Sequence, residues 1–336
     1  MPFPPGKLPL DVLDRLLSTH TTQDDPRVVV GARVGEDAAV IDFGDRYLVA
    51  KTDPITFATN EIGHYAIHVN ANDIATMGAQ PRWFLATLLL PENNTDETLV
   101  ESIFASLHKS AQEIGVAICG GHTEITIGLD RPIIVGQMLG EVEKDKLVQS
   151  TNLEIGDCLL LTKGLGIEAT AIIANEKALE LKDAGITSHV IAKSAQYLHT
   201  PGISILKEAQ IACQTAPIKA MHDPTEGGVA TAIRELAQAS SVGISVNGNA
   251  LFISPETQHL CDLFKLDPLG VISSGALLIG VSKPHAQSIC QAIQHAGIPC
   301  AIIGHVKEKA FGLKIAHNNT STDLPIFACD EIGKIF

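Results

Sequence analysis

Apolar positions in the first half of the chain fall into short runs and into stretches with helical spacing. The short runs predict strands at 38–43, 46–50, 82–90, 116–119 and 133–142. The helical spacing predicts helices at 10–17, 61–77 and 96–114, the last capped by Thr95 or Asp96. Strands and helices are therefore mixed in this half, without strict βαβ alternation.

The pattern becomes polar over 143–156, and we place a boundary there between two domains, residues 1–150 and 151–336. Beyond it, the apolar spacing predicts strands at 157–162, 218–221, 276–281 and 301–306. It also predicts helices at 167–181, 187–208, 228–240 and 284–296. No repeat with a period of 20–50 residues is visible.

The composition narrows the class of protein. With 24 Lys and Arg against 38 Asp and Glu in 336 residues, the net charge is −14. A chain this acidic is poorly suited to nucleic acid or to an anionic membrane, whereas its carboxylates could hold divalent cations. A hydrophobic content of 45% excludes a disordered chain, and abundant glycine with few aromatic residues indicates an α/β or α+β enzyme.

The cysteines and the apolar segments indicate the cellular compartment in which the protein works. The seven cysteines include no Cys-x-x-Cys pair, and apolar surroundings, as at Cys119 and Cys158, predict mostly buried free thiols. Residues 1–7 lack the features of a signal peptide. The uncharged stretches 236–255 and 284–306 are interrupted by polar residues, so no bilayer span is expected. We therefore expect a reduced, cytoplasmic protein.

Acidic residues recur where predicted strands and helices of the first half begin or end. Asp37 precedes a strand, Asp53 follows one, and Asn72-Asp73 lies in a helix of small, apolar residues. Each residue also has a simpler interpretation as a turn, cap or surface residue. A buried Asp73 would be costly unless it were paired or metal-bound. Together the three carboxylates could hold Mg²⁺, which prefers oxygen ligands.

Two pairs of glycines adjoin polar residues that could bind a ligand. Gly120-Gly121 follows a predicted strand and leads to His122, although such a pair can also be a plain tight turn. Gly227-Gly228 opens a predicted helix shortly after Asp223. The N–H groups of a helix start suit a phosphate and the aspartate suits its metal, unless the turn only begins a helix.

Lys163-Gly164-Leu165-Gly166 follows another predicted strand and formally fits the dinucleotide fingerprint G-x-G-x-x-A. The following strand and acidic residue that this fingerprint needs are missing, which disfavours a dehydrogenase. No P-loop, G-x-S-x-G or H-E-x-x-H motif occurs in the chain. A nucleotide site in this protein is therefore of another kind.

Taken in order along the chain, these motifs resemble the PurM superfamily, the proteins related to aminoimidazole ribonucleotide synthetase (AIR synthase). Its members include selenophosphate synthetase, thiamine-monophosphate kinase and the hydrogenase maturation factor HypE. Among these, HypE is the one to which the motif Asp-Pro-Thr-x-Gly-Gly at 223–228 is most similar. The matching segments are Gly35-Glu36-Asp37-Ala38-Ala39-Val40, Thr52-Asp53, Asn72-Asp73-Ile74-Ala75-Thr76-Met77-Gly78-Ala79-Gln80-Pro81, Gly120-Gly121-His122-Thr123, Lys163-Gly164-Leu165-Gly166 and Asp223-Pro224-Thr225-Glu226-Gly227-Gly228.

The resemblance implies a two-domain α+β PurM-like fold, with an N-terminal mixed sheet that forms a homodimer and a C-terminal α/β domain. It implies ATP bound with Mg²⁺. The residues implied for ATP are Asp37, Asp53, Asn72, Gly120, Gly121, Lys163, Gly164, Gly166, Thr225, Gly227 and Gly228. Those implied for magnesium are Asp37, Asp53, Asp73 and Asp223, and those for catalysis are Asp73, His122 and Asp223. His122 stands where several members have an acid, and a neutral imidazole is a poor magnesium ligand.

We therefore expect a HypE-like, ATP-dependent enzyme that activates a small carbonyl or amide group by phosphoryl transfer or dehydration. The implied partners are a carbamoyl-type acceptor and hydrogenase maturation proteins. HypE acts through a C-terminal cysteine, whereas Cys329 here is followed by seven more residues, so it is either a displaced acceptor or a packed thiol. Two alternatives stay open, a non-catalytic nucleotide-binding scaffold and an enzyme like thiamine-monophosphate kinase. Selenophosphate synthesis is disfavoured because no cysteine precedes Cys119.

Overall fold

The computed structural model describes residues 8–21, 25–33, 35–56, 58–318 and 320–336. Its strands are β1 Val28–Val30, β2 Ala39–Asp42, β3 Arg46–Ile55, β4 Gln80–Pro91, β5 Ala117–Thr126, β6 Ile133–Glu143, β7 Cys158–Thr162, β8 Ala220–His222, β9 Gly243–Asn247, β10 Leu278–Val281, β11 Cys300–Lys307, β12 Leu313–His317 and β13 Thr320–Asp323. Its α-helices are α1 Leu10–His20, α2 Ile62–Thr76, α3 Glu97–Glu113, α4 Ile167–Glu176, α5 Ala178–Asp183, α6 Ser188–Ala195, α7 Leu206–Thr215, α8 Gly228–Ala239, α9 Pro255–Phe264 and α10 Lys283–His295. Residues 1–7, for which no signal peptide is predicted, lie outside the described part of the chain.

Contacts divide the chain into two compact units. The N-terminal unit contains Gln23–Gly31 and Asp37–Leu147. The C-terminal unit contains Val148–Phe336 together with Ala32–Glu36 and helix α1. Each unit is built around a β-sheet of its own. These two mixed sheets with their helices confirm the predicted α+β class.

The sheet of the N-terminal unit has the strand order β1-β2-β3-β6-β4-β5. The predicted pairing of the first two long strands is confirmed, since β2 and β3 are antiparallel with Ala39 opposite Ala50. Helix α2 packs against β3 and β6, and all of its residues are buried. Apolar residues such as Ile67 and Ile74 are fully buried there, and each contributes about 1.5–3 kcal/mol to stability.

The sheet of the C-terminal unit has the strand order β13-β12-β9-β11-β7-β10-β8. Strand β7 lies in its interior and is buried at every residue, which explains its continuous run of Leu159, Leu160 and Leu161. Both neighbours of β7 run antiparallel to it. Helix α10 packs against β7 and β11, as the predicted strand–helix–strand unit requires.

Two predicted elements differ from the structure. The alternative interpretation of Gly120-Gly121 as a tight turn is wrong, because β5 continues through both glycines. A Cβ at Gly121 would collide with the backbone of Ala86, so this glycine lets β5 approach β4 closely. The single helix predicted at 187–208 is also wrong. It is interrupted between α6 and α7, where Pro201 lacks the N–H that a helix interior needs.

Some elements of the structure were not predicted, namely β1, β9, α9, β12 and β13. Helix α9 did carry a signal, since Pro255 occupies its first turn and the Ser254 hydroxyl accepts the Thr257 N–H at 3.0 Å. Within the described residues, no helix is long and apolar enough to cross a bilayer.

All seven cysteines are free thiols. Burial is confirmed for four of them, Cys158, Cys261, Cys290 and Cys300, but Cys119 and Cys213 are exposed. The expectation for Cys119 was wrong because β5 is an edge strand whose residues are almost all exposed.

Candidate functional site

Two predicted carboxylates of the N-terminal unit meet at one lysine. Asp53 lies on β3 and Asp73 lies on α2. The Lys51 Nζ atom is 3.5 Å from Asp53 Oδ2 and 3.2 Å from Asp73 Oδ2. Asp73 is buried, whereas the side chains of Lys51 and Asp53 are partly exposed. The ammonium group therefore offsets part of the cost of burying the Asp73 charge.

The other polar residues predicted for this region, Asp37 and Asn72, are also buried. Asp37 lies two residues before the start of β2. Because Ala39 pairs with Ala50 in the antiparallel register, Asp37 lies beside the end of β3 that carries Asp53. Asn72 lies on α2 and is completely buried. The acidic positions predicted in this half thus belong to neighbouring parts of one unit.

The donor set of Asp37, Asp53 and Asp73 fits Mg²⁺, because carboxylate oxygens are the hard ligands this ion prefers. Lys51 was missing from the predicted site. Side chains two residues apart on a strand share a face, so the spacing of Lys51 and Asp53 was the available signal. A magnesium ion would compete with the Lys51 ammonium for two of these carboxylates.

His122 lies on the exposed edge strand β5. Its Nε2 atom is 3.5 Å from Glu124 Oε2, and both side chains are more than half exposed. Residues 122 and 124 share a strand face, so this contact is set by the local geometry of β5. Gly120 and Gly121 precede them on the same strand.

The Lys163 ammonium belongs to a buried ion pair of the C-terminal unit. It lies 2.9 Å from Glu208 Oε1, and the two side chains are only 5% and 1% exposed. It also donates to the carbonyl oxygens of Gly202 at 3.2 Å and Ser204 at 2.5 Å. Lys163 therefore holds the segment before α7 against the end of β7.

Gly164 and Gly166 form the turn between β7 and α4. The Gly166 N–H donates to Ser273 Oγ at 2.8 Å, and the Gly166 carbonyl accepts the Thr170 hydroxyl at 2.6 Å. Because β7 is antiparallel to both of its neighbours, this turn does not belong to a parallel βαβ unit. The resemblance to the dinucleotide fingerprint is therefore only formal.

The turn between β8 and α8, hereafter the α8 turn, carries the remaining predicted residues. Asp223 directly follows β8 and is buried. The Thr225 carbonyl accepts the Gly228 N–H at 3.0 Å. Gly227 and Gly228 have φ values of +79° and +63°, which favour glycine. The turn thus lies at the positive dipole end of a twelve-residue helix. The N–H groups of Gly228 and Ala230 already donate to backbone carbonyl oxygens.

A carboxylate lies at the start of α8. The Gly227 N–H donates to Asp330 Oδ2 at 2.7 Å, and the Ile332 N–H donates to Asp330 Oδ1 at 2.8 Å. Burial raises the pKa of Asp330 to about 6, although these backbone hydrogen bonds oppose the rise. Asp330 was not predicted, and its separation of 103 residues from Gly227 left no local signal.

Glu168, in the first turn of α4, is another buried titratable group of this unit that was not predicted as a site residue. Burial raises its pKa to about 8, the Ser274 hydroxyl lowers it, and the carboxylates of Glu226, Asp330 and Asp223 raise it. Glu168 is therefore largely protonated at neutral pH. Its signal was a glutamate placed among the apolar residues of a buried helix.

A cavity of about 310 Å³ opens beside the α8 turn. Its walls include Glu226, Gly227, Arg234, Phe327, Cys329 and Asp330. Cys329 is half-buried, so its thiol is neither fully packed nor fully exposed. The cavity therefore combines an apolar wall with charged groups and a thiol.

Comparison with protein families finds two adjacent matches. The model for AIR synthase related protein, N-terminal domain, matches residues 35–142. The model for AIR synthase related protein, C-terminal domain, matches residues 154–315. The two matches together account for most of the chain.

Individual proteins are similar over nearly the same span. A protein of Methanocaldococcus jannaschii, provisionally named a hydrogenase expression/formation protein, is 30% identical over 295 residues, which are 85% of this chain and 84% of the relative. Carbamoyl dehydratase HypE of Escherichia coli is 28% identical over 298 residues, 88% of this chain and 83% of the relative. A solved structure of hydrogenase maturation protein HypE in complex with ATP has a TM-score of 0.73 at 23% identity and covers 96% of each chain. The structural likeness confirms the predicted fold.

Proposed function

This chain belongs to the family of AIR synthase related proteins, and from that premise we propose that it is an ATP-dependent enzyme activating a small carbonyl or amide group. The reaction is phosphoryl transfer to the oxygen of that group, or its dehydration, as the name carbamoyl dehydratase indicates for the E. coli relative. We place the reaction in hydrogenase maturation, with other maturation proteins as partners, because the names of the relatives refer to that process.

One observation carries the proposal, namely the carboxylate of Asp330 at the start of α8. The Gly227 N–H binds this anion at 2.7 Å. A phosphate oxygen of ATP is an acceptor of the same charge, and a helix start with a glycine entry suits it. Burial raises the pKa of Asp330 to about 6, so displacing this carboxylate costs less than displacing an aspartate of ordinary pKa. A phosphate whose charge is reduced by Mg²⁺ could then take its place.

Magnesium would be held on the N-terminal unit by Asp37, Asp53 and Asp73, whose oxygens form a suitable donor set. Lys51 orients two of these carboxylates before any ligand arrives. On the C-terminal unit, Asp223 would meet the metal that accompanies a phosphate at the α8 turn. Bound Mg²⁺ would neutralise charge on the phosphates, which is the main demand of phosphoryl transfer.

Dehydration of a carbamoyl group also requires proton transfer, because the amide nitrogen loses its protons while the oxygen leaves with phosphate. Glu168 has a pKa of about 8, close to the pH at which an efficient proton acceptor or donor must work. Its Coulomb interaction with Glu226 and Asp223 associates it with the α8 turn. We assign Glu168 the exchange of protons at this turn.

The acceptor group fits the cavity of about 310 Å³ beside the α8 turn. Arg234 and Glu226 on its wall can bind a polar amide, and Phe327 supplies an apolar surface. A carbamoyl-type group is small enough to enter together with part of the molecule that carries it. We therefore place the acceptor there.

We also propose that the N-terminal unit forms a homodimer through β5. This edge strand exposes Ile118 and Ile125, at 42% and 60% of their surfaces. An exposed apolar edge with unpaired backbone groups is a template for pairing with a second copy. Sedimentation should show a dimer for the unmodified chain and a monomer for Ile125→Lys, and a monomeric unmodified chain would contradict the proposal.

The proposed reaction is tested by Mg²⁺-dependent ATP turnover with carbamoyl-type acceptors. Asp73→Asn should reduce turnover by about 100-fold or more, because loss of one charged group at a phosphoryl-transfer site has effects of this order. Asp42→Asn is the matched control, since it makes the same change in the same unit at a partly exposed aspartate paired with Lys144. It should retain full turnover.

Two outcomes would favour the alternatives. If the chain binds ATP without turning over any acceptor, and Asp73→Asn changes only binding, the chain is a nucleotide-binding scaffold. If thiamine monophosphate is phosphorylated and carbamoyl compounds are not, the chain is a small-molecule kinase. Native mass spectrometry with ATP and Mg²⁺ measures binding in the same samples, so binding and turnover are separated.

A further inference from the structure

Three metal-binding side chains meet between α2 and α3 of the N-terminal unit. His64 and His68 are four residues apart on α2, which places them on one face of the helix. Glu113 is the last residue of α3. One ligand atom from each of the three side chains lies within 4.8 Å of the other two. We propose that His64, His68 and Glu113 form a binding site for a transition-metal ion, with Zn²⁺ as the best match.

Both imidazoles are buried, and the ring of His64 is also oriented by a hydrogen bond. Both histidines are buried, at 6% and 4% exposure, and their ring centroids are 4.2 Å apart. The Nδ1 atom of His64 lies 3.1 Å from the Ser110 hydroxyl on α3. A hydrogen bond of this kind fixes ring orientation, as the outer partners of metal-bound imidazoles do. The site is therefore oriented by a neighbouring helix before a metal arrives.

The ligand types select the metal. Two imidazole nitrogens and one carboxylate oxygen form a common donor set for zinc, with bonds of about 2.0–2.2 Å. Mg²⁺ and Ca²⁺ prefer sets made of oxygen alone. Glu113 is exposed, whereas the histidines are buried. The Glu113 side chain can therefore change rotamer and bring its carboxylate closer to the two imidazoles. Water can enter beside it as the remaining ligand.

The site is separate from the proposed ATP chemistry. The nearer histidine, His68, precedes Asp73 by five residues on α2, which corresponds to about 7.5 Å along the helix axis and about 140° around it. A metal joining α2 to α3 would stabilise the helix that carries Asp73. A ligand that binds only the folded state raises the unfolding temperature, so zinc should do so here. The binding measurement does not depend on whether the chain turns over ATP.

The experiment uses the full, untagged chain, stripped of metal with a chelator and then dialysed against ZnCl₂. We expect one zinc ion per chain and a higher melting temperature. Cobalt titration should give the visible absorption of a tetrahedral ion with nitrogen and oxygen ligands. Thiolate-to-cobalt charge transfer would overturn the proposal, because it would place the metal at the free cysteines.

Variants locate the metal. His68→Gln should weaken zinc binding by more than the roughly 10–100-fold lost when only an outer partner of a ligand is removed. Because His68 is buried and its variant could fail to fold, Glu113→Gln supplies a second test at an exposed position, with an expected loss of at least about tenfold. The matched controls on α3 are His108→Gln and Glu101→Gln, both at exposed residues.

The controls should bind zinc as the unmodified chain does, and so should Asp73→Asn. Three further results would overturn the proposal. The first is a chain that retains no zinc after dialysis. The second is a Glu113→Gln variant that binds zinc with unchanged affinity. The third is an Asp73→Asn variant that alone loses zinc, since the ion would then lie among the aspartates at Lys51.

Discussion

The candidate site of the N-terminal unit and that of the C-terminal unit treat their carboxylates in opposite ways. In the N-terminal unit, Asp53 and Asp73 share the Lys51 ammonium at 3.5 and 3.2 Å. In the C-terminal unit, Glu168 and Asp330 have raised pKa values of about 8 and about 6, because burial and neighbouring carboxylates disfavour their charge. The Lys51 ammonium favours the charged form of the aspartates beside it, whereas burial and neighbouring acids leave Glu168 largely protonated at neutral pH.

Removing the lysine should have the largest effect. Lys51→Met leaves Asp73 buried without this cation, and breaking a buried ion pair costs about 3 kcal/mol or more. Urea unfolding at pH 7 measures the loss. Lys144→Met is the control, because its pair with Asp42 is exposed, and it should leave the free energy of unfolding nearly unchanged. Equal effects of the two variants would show that Lys51 is not important for holding the carboxylates.

The raised pKa of Glu168 in the C-terminal unit predicts that the free energy of unfolding depends on pH. The folded-state pKa of Glu168, about 8, lies above the ordinary value of 4.5, so its protonation stabilises the fold. This stability is fully present below pH 4.5 and is lost by about pH 8, at roughly 1 kcal/mol per pH unit. Glu168→Gln should flatten that slope in urea unfolding between pH 5 and about 9.

The control for this slope is Glu176→Gln at the exposed end of the same helix, α4. It should keep the slope of the unmodified chain. If both variants behave like the unmodified chain, Glu168 is not the group that titrates. The contrast between the aspartates at Lys51 and the protonated Glu168 then disappears.

A smaller effect is expected at the helix start. Asp330→Ala removes the carboxylate that accepts the Gly227 N–H. Loss of such a cap should cost about 1 kcal/mol, but ATP no longer has to displace an anion, so its affinity should rise by up to about tenfold. Calorimetric titration with Mg²⁺-ATP measures the change. Weaker ATP binding would argue against phosphate at the α8 turn.

The smallest effect is expected at Cys329. Its thiol is half-buried at the cavity wall, so Cys329→Ala should change the free energy of unfolding by less than about 0.5 kcal/mol. Turnover of free acceptors should also be unchanged. Loss of turnover with normal ATP binding would instead identify Cys329 as the covalent acceptor, and mass spectrometry would detect the carbamoylated thiol.

Local patterns determined much of what was predicted. Local sequence signals revealed β2, β3, α2 and α3. Helix α3 is amphipathic, so its spacing reports which face is buried, whereas α2 is buried on every side and was recognised from its small, apolar residues. The glycine and aspartate motifs also predicted the family, because backbone turns and charged ligands need particular residues at short spacings. The interruption between α6 and α7 at Pro201 was missed, since helical spacing continued on both sides of it.

Only the tertiary structure decided which charges meet. The sequence alone placed Asp37, Asp53, Asp73 and Asp223 near element ends and predicted the glycine pair that begins α8. It could not show that Lys51 joins two of the aspartates, that Lys163 pairs with Glu208, or that Asp330 reaches Gly227. Those contacts cross 22, 45 and 103 residues. The chemical type of each side chain is fixed by the sequence. Its charge, however, is set by desolvation and ion pairing, and both depend on which groups the fold brings near.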